Sequence, residues 1–165
     1  MKRSEKQWMS LMKKLSLNLS SFFVILIFII SNSYSSEKNV AIGKAQIIDG
    51  DTIIIKGEKI RFAGIDTPER NKIGHNFSKI KLKKKIDKNI IVCIREPNLD
   101  PWGRTVAECF IGNESISSYM VKNGFACDYV KYSKKKYAKE QEYAKSKKLG
   151  IWNMNFEASW EKKCG

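Results

Sequence analysis

From Val40 onward, apolar residues gather in short runs divided by turn signals, which is a β pattern. Val40 to Ile48 reads as a first strand, and Asp49-Gly50 turns the chain. The β-branched run Thr52 to Ile55 gives a second strand. Lys56-Gly57-Glu58 turns again, and Lys59 to Ile65 gives a third, which Pro68 stops. Phe77 to Ile86 carries Phe77, Ile80 and Leu82 among lysines, a short helix on which Lys81, Lys83, Lys84 and Lys85 form a solvated face. His75, just before it, reads as a surface loop residue. Asn89 to Arg95 and Thr105 to Ile111 are strands four and five, flanking a loop from Glu96 to Arg104. A helix follows over Ser115 to Asn123, with Ile116, Tyr119 and Met120 on one face and Gly124 as its C-terminal cap. Tyr137 to Lys148 is a third helix. The order predicts a mainly β fold with α, a five-stranded OB-fold Greek-key barrel with three helices.

The residues before this pattern differ in kind. Lys2, Arg3, Lys6, Lys13 and Lys14 precede the apolar run Phe22 to Ile30, and small polar residues follow from Ser31 to Ser36. This is the layout of a secretory signal, expected over residues 1–35. Its apolar core is shorter than the roughly 20 residues of a spanning helix. The alternative is an uncleaved membrane anchor, because Leu15, Leu17 and Leu19 can lengthen the stretch. The expected organisation is therefore a signal over 1–35, one domain over 36–152 and a C-terminal extension over 153–165, with Phe156 and Trp160 packing somewhere. The layout implies export, with release from the cell or retention in a periplasm, and anchoring in the membrane as the alternative if the N-terminal segment is not cleaved.

The 165-residue chain has 31 Lys+Arg against 17 Asp+Glu, a formal charge of +14. Only five of the basic residues lie in the N-terminal segment, so the charge belongs to the domain. It favours a polyanionic partner: nucleic acid, anionic lipid or acidic polysaccharide. Cys93, Cys109, Cys127 and Cys164 all follow the signal, so disulfides are possible outside the cytosol. They form no CxxC pair and no Cys/His cluster, which argues against zinc. Cys93 and Cys109 sit in two strands and could face each other, but four cysteines allow three connectivities and the pairing stays open.

Three clusters carry candidate chemistry: Asp49-Gly50-Asp51-Thr52 at a turn, Arg61 to Glu69 at a strand end, and Asp100-Pro101-Trp102-Gly103-Arg104 leading into a strand. Phosphodiester cleavage needs a divalent cation, a carboxylate to handle water, and permanently charged groups for the phosphoryl oxygens. Asp51 and Asp66 supply carboxylates and Thr67 a carbonyl, the oxygen donors that a hard cation prefers. Glu69 lies beyond Pro68, which would turn it back toward the same place. Arg61 and Asp66 are five apart and would face opposite sides of a regular strand, so a bend at Ala63-Gly64 is required. Tyr129, Tyr132 and Tyr137 lie among Lys131, Lys134, Lys135 and Lys136. They read either as a stacking and phosphate-tracking surface or as core tyrosines beside solvated lysines.

The joint order and spacing of these clusters resembles the staphylococcal nuclease (thermonuclease) family. The resemblance runs through Asn123-Gly124-Phe125-Ala126 to Leu149-Gly150-Ile151-Trp152, covering roughly Val40 to Trp152. It implies a Ca²⁺-dependent nuclease acting as a monomer on DNA and RNA, preferably single-stranded, with loss of the 5′-oxygen and 3′-phosphorylated products. Asp51, Asp66 and the Thr67 main-chain oxygen would hold the metal. Glu69 would be the general base or the group that orients water; Arg61 would contact the scissile phosphate. Arg104 would stabilise the transition state or assist the leaving group. Trp102, Tyr129 and Tyr132 would touch substrate. Pro101 stands where the family's best-known member has a lysine, Trp102 where it has a tyrosine, and the stretch Arg70 to Asn76 is shorter than its mobile loop. A non-catalytic OB-fold module is the main rival. Such modules usually lose the carboxylates or the glutamate, and this chain keeps Asp51, Asp66, Glu69 and both arginines. A membrane-tethered basic surface protein would explain none of the three clusters.

Overall fold

The structure, a computed structural model, describes residues 39–154 together with 163 and 164. The expected signal, Phe156 and Trp160 lie outside the described residues. In chain order the elements are β1 (Val40–Gly43), β2 (Ala45–Asp49), β3 (Thr52–Ile55), β4 (Glu58–Phe62), β5 (Ile65–Asp66), α1 (His75–Ile86), β6 (Ile91–Leu99), β7 (Thr105–Ile111), β8 (Glu114–Ser115), α2 (Ile116–Lys122), β9 (Cys127–Asp128), α3 (Val130–Ser133), α4 (Ala138–Ser146) and a 3-10 turn (Gly150–Asn153).

The main sheet runs β1-β6-β7-β4-β3-β2, with β8 beside β7. Pairing is antiparallel except between β4 and β7. Only Lys44 separates β1 from β2, so the two ends of this ladder are halves of one chain run and the sheet closes on itself as an OB-type barrel. Alternation sends Ala41, Ile53, Ile55, Ile60, Phe62, Ile91 and Ala107 inward, where each is almost wholly buried.

Cys93 lies opposite both Ala41 and Cys109 in the ladder. Cys93 and Cys109 form a disulfide inside the barrel, with Cα atoms 4.0 Å apart. The small side chain of Ala41 leaves space for it. A cross-link over a separation of 16 residues contributes about 3 kcal/mol in the chain-entropy account. The other pair, Cys127–Cys164, spans 37 residues and fastens Cys164 to β9.

The helices depart from expectation in instructive ways. In α1 the buried side chains are His75, Ser78, Leu82 and Ile86, while Ile80 is half exposed. His75 is therefore no surface loop residue but the buried first residue of a helix. Lys83 and Lys84 are solvated, whereas Lys81 sits over the Phe77 and Phe125 rings and Lys85 lies 4.2 Å from the centre of the Tyr119 ring. Long lysine stems cover apolar surface here. The basic-aromatic stretch adds the four-residue α3 to the three expected helices. Tyr137 is buried and donates to Glu108, so it belongs to the core; Tyr129 and Tyr132 do not follow it inward.

Candidate active site

Two strand ends and one loop converge on a single cleft of about 1030 Å³. Asp51 sits in the β2–β3 turn, where the register shifts between Ile47 and Asp49. Arg61 lies across from Thr52 in the β3–β4 ladder, which brings it beside that turn. Asp66 arrives from β5 because the chain bends sharply after Phe62. Gly64 takes φ +69°, a left-handed conformation that favours glycine. A Cβ there would also approach the Ser133 Cβ to 2.9 Å. This is the bend at Ala63-Gly64 that the spacing of Arg61 and Asp66 demands.

The result is a compact charge cluster. Arg61 donates from Nη1 to Asp51 Oδ2 at 2.5 Å and from Nη2 to Asp66 Oδ1 at 2.8 Å. Nη2 also reaches the Ile65 carbonyl at 3.1 Å. Thr52 Oγ1 donates to the remaining oxygen of Asp51. Asp51, Asp66 and Thr67 are all buried. Burial, then the neighbouring Asp51 charge, push the Asp66 carboxyl above its ordinary pKa, against the pull of Arg61 and Lys163. For Arg61, burial alone would lower the guanidinium pKa, but the two aspartates raise it above its ordinary value.

Asp66 Oδ2 is buried and accepts no hydrogen bond from any described residue. A buried carboxylate oxygen without a donor suits a cation. Two carboxylates and the Thr67 main chain beside it form an all-oxygen donor set of the type hard divalent ions take. Among the described residues no set of three or more His, Cys, Asp and Glu side chains gathers, so the protein would supply few ligands and leave positions for water or phosphate oxygens.

Glu69 lines the cleft with its side chain 70% exposed, and its carboxylate lies 3.8 Å from Lys163 Nζ. His75 anchors this segment through Nδ1 at 3.1 Å from the Pro68 carbonyl oxygen.

The third wall is the Asp100–Arg104 loop. β6 runs on to Leu99 through an irregular register after Arg95, with Pro97 in the bulge, so the strand is longer and the loop shorter than expected. Asp100 accepts from the Trp102 and Arg104 main-chain nitrogens and, at 2.6 Å, from Arg104 Nε. The Arg104 guanidinium also stacks 5.1 Å from the Trp102 ring, itself 74% exposed. Arg104, just before the start of β7, which runs beside β4, makes no hydrogen bond or ion pair to the Arg61 cluster among the described residues, but it lines the same cleft. Tyr129 and Tyr132, which also line the cleft, meet edge to face at 4.8 Å.

Burial would raise the Asp100 carboxyl, but the donors from Arg104 and Trp102 outweigh it and hold its pKa below the ordinary value. A depressed folded-state pKa means that this group's stabilisation is complete above its unfolded pKa, about 4, and declines as pH falls below that. We expect thermal melts between pH 5 and pH 3 to show a fall in stability that is shallower in Asp100→Asn, which cannot ionise. Parallel melting curves for the two proteins would contradict this account.

The nine residues given a site role by the resemblance all line this one cleft: Asp51, Arg61, Asp66, Thr67, Glu69, Trp102, Arg104, Tyr129 and Tyr132. Sequence reasoning missed Lys163, whose ammonium lies 3.6 Å from Asp66 Oδ2. Its only signal was the neighbouring Cys164, and the partner of that cysteine could not be read from spacing.

A family model described as "Staphylococcal nuclease homologue" matches residues 59–154. A protein of Haemophilus influenzae named "Uncharacterized endonuclease" is 33% identical over 80% of this chain and 76% of its own length. A thermonuclease of Staphylococcus intermedius is 33% identical over 65% of this chain and 73% of its own length. A succinoglycan biosynthesis protein of Rhizobium meliloti is 30% identical over 67% of this chain and 64% of its own length.

Proposed function

This chain belongs to the staphylococcal nuclease homologue family, a nuclease that hydrolyses phosphodiester bonds, and from that premise we propose that it is an exported, calcium-dependent enzyme cutting DNA and RNA to 3′-phosphorylated products. One observation carries the reading. Asp51 and Asp66, from separate segments, converge on the Arg61 guanidinium inside a cleft that Glu69 and Arg104 also line.

Asp51, Asp66 and the Thr67 main-chain oxygen would hold the calcium ion. When bound, the ion screens the phosphate and orients water. With the aspartates holding the ion, the planar fork of Arg61 would be available for two phosphoryl oxygens. Glu69, exposed in the cleft, takes the proton of the attacking water or orients that water. Water adds to phosphorus, the bond to the 5′-oxygen breaks and the phosphate stays on the 3′ side. Arg104 is gripped through Nε by Asp100, which leaves its terminal nitrogens for the developing charge or the leaving oxygen. Trp102 and Tyr132 offer exposed ring surface to unpaired bases, with the half-buried Tyr129 ring edge to face against Tyr132, which supports a single-stranded preference; we take the enzyme to act as a monomer.

Two disulfides and the signal layout of residues 1–35 support export, with the domain at 36–152. Among the described residues no helix is long and apolar enough to cross a membrane.

The test is hydrolysis of denatured DNA by the protein lacking residues 1–35. Calcium should switch cleavage on and a chelator should switch it off. Glu69→Ala and Arg104→Ala should each be slower by about a hundredfold or more. Variants that cut as fast as the parent would falsify the assigned roles.

A further inference from the structure

The C-terminal disulfide has a consequence for the cleft. Cys127 lies directly opposite Asp66 in the β5–β9 ladder. Its bond to Cys164 therefore brings that residue to the aspartate, and Lys163 with it. The placement is fixed twice. Gln141, almost fully buried, donates from Nε2 to the Cys164 carbonyl at 2.6 Å and accepts at Oε1 from the Asp128 main chain at 2.8 Å. Cys127, Cys164 and Ile151 form a small buried cluster of their own.

The Lys163 ammonium is held there without being consumed. It stands 3.6 Å from Asp66 Oδ2 and 3.8 Å from Glu69 Oε1, both beyond hydrogen-bond length. Its side chain is 39% exposed into the cleft. Arg61 is clamped between two aspartates and Arg104 is gripped by Asp100, each at hydrogen-bond length, whereas the two ion-pair contacts of Lys163 are longer. The Tyr129 ring centre lies 6.0 Å away, which sets a stacking surface beside a positive charge.

We propose that Lys163 is a substrate-binding residue, an ammonium that contacts a nucleic-acid phosphate and is delivered to the cleft by the Cys127–Cys164 disulfide. This rests on the nuclease reading above. Cutting the tether would remove a substrate contact without substituting any residue of the Arg61 cluster.

The experiment is binding of a fluorescent single-stranded oligodeoxynucleotide in chelator, where cleavage is off, across a salt series. Wild type, Lys163→Gln, Lys163→Arg and Cys164→Ser are compared. One phosphate contact on a single strand contributes about 0.7 to the slope of log affinity against log salt. Lys163→Gln and Cys164→Ser should each lose about that much slope and bind severalfold more weakly, while Lys163→Arg keeps the slope. An unchanged slope in Lys163→Gln would show that Lys163 is merely a counter-charge for Asp66 and Glu69, and would overturn the proposal even if Cys164→Ser is too unstable to measure. Failure of wild type itself to bind the oligonucleotide would remove the nucleic-acid reading and this contact together, a result distinct from equal slopes.

Discussion

Arg61→Ala is expected to lower kcat/KM by about a thousandfold and, in chelator, to destabilise the fold by several kcal/mol. The catalytic loss follows from removing a preorganised donor pair for phosphoryl oxygens, which typically costs a hundred- to a thousandfold. The stability loss has a different origin. Asp51 and Asp66 are both buried and both paired with this one guanidinium. Without it, two like charges would share a poorly solvated site, and removing one partner of such a buried group typically costs about 3–5 kcal/mol. A bound cation can replace the lost charge but not the lost donors. Calcium should therefore restore much of the melting temperature of Arg61→Ala while leaving its rate low. Arg61→Lys should keep more stability than activity, because a point charge lacks the two-pronged geometry. Thermal melts with calcium and with chelator, beside steady-state rates, separate the two effects. Equal melting temperatures for the alanine variant under both conditions would mean that the aspartates are not a cation site.

The second large effect is purely steric. Gly124 and Gly150 cross with no room between their backbones. A Cβ on Gly150 would fall 2.1 Å from the Gly124 carbonyl oxygen, and one on Gly124 would fall 2.2 Å from that of Leu149. Both residues have positive φ, and the Ile151 main-chain nitrogen donates to Gly124 at 2.7 Å across the crossing. Neither obstacle is a flexible side-chain tip, so Gly150→Ala must push the two segments apart. The displaced turn carries Ile151, which packs with Cys127 and Cys164. We expect a loss of about 3 kcal/mol or more, read from the urea midpoint. Gly57→Ala, whose Cβ would meet nothing within 4 Å, serves as the control for positive φ alone. Similar losses in both would leave no role for the crossing.

Much of the barrel was legible because alternation and turn residues are local signals. The three clusters were legible because each places its chemistry within a few residues, and one bend at Ala63-Gly64 suffices to join Arg61 with Asp66. What the sequence hid was long-range. The partner of Cys164 is 37 residues away, so Lys163 could not be assigned to the cleft. His75 looked like a loop residue because its burial depends on Pro68, which folds back over it. Lys81 and Lys85 looked solvated because the rings they cover, Phe125 and Tyr119, come from the far side of the barrel sequence. Ile80 was expected inward on its apolar character alone, although the buried stripe of α1 passes through Ser78 and Leu82 instead.

The split strand also sets an order of events in folding. Ala45–Asp49 pairs with the segment that follows it at once, but Val40–Gly43 must wait for a partner that begins at Ile91. Hairpins with short loops form early, whereas a contact of such span carries a larger loop-closure entropy and comes late. A nascent chain emerging amino end first would thus hold an open curl with two raw strand edges until the seam is zipped. During that interval the first strand is free to pair with another molecule, and the seam is where misassembly of this protein would begin.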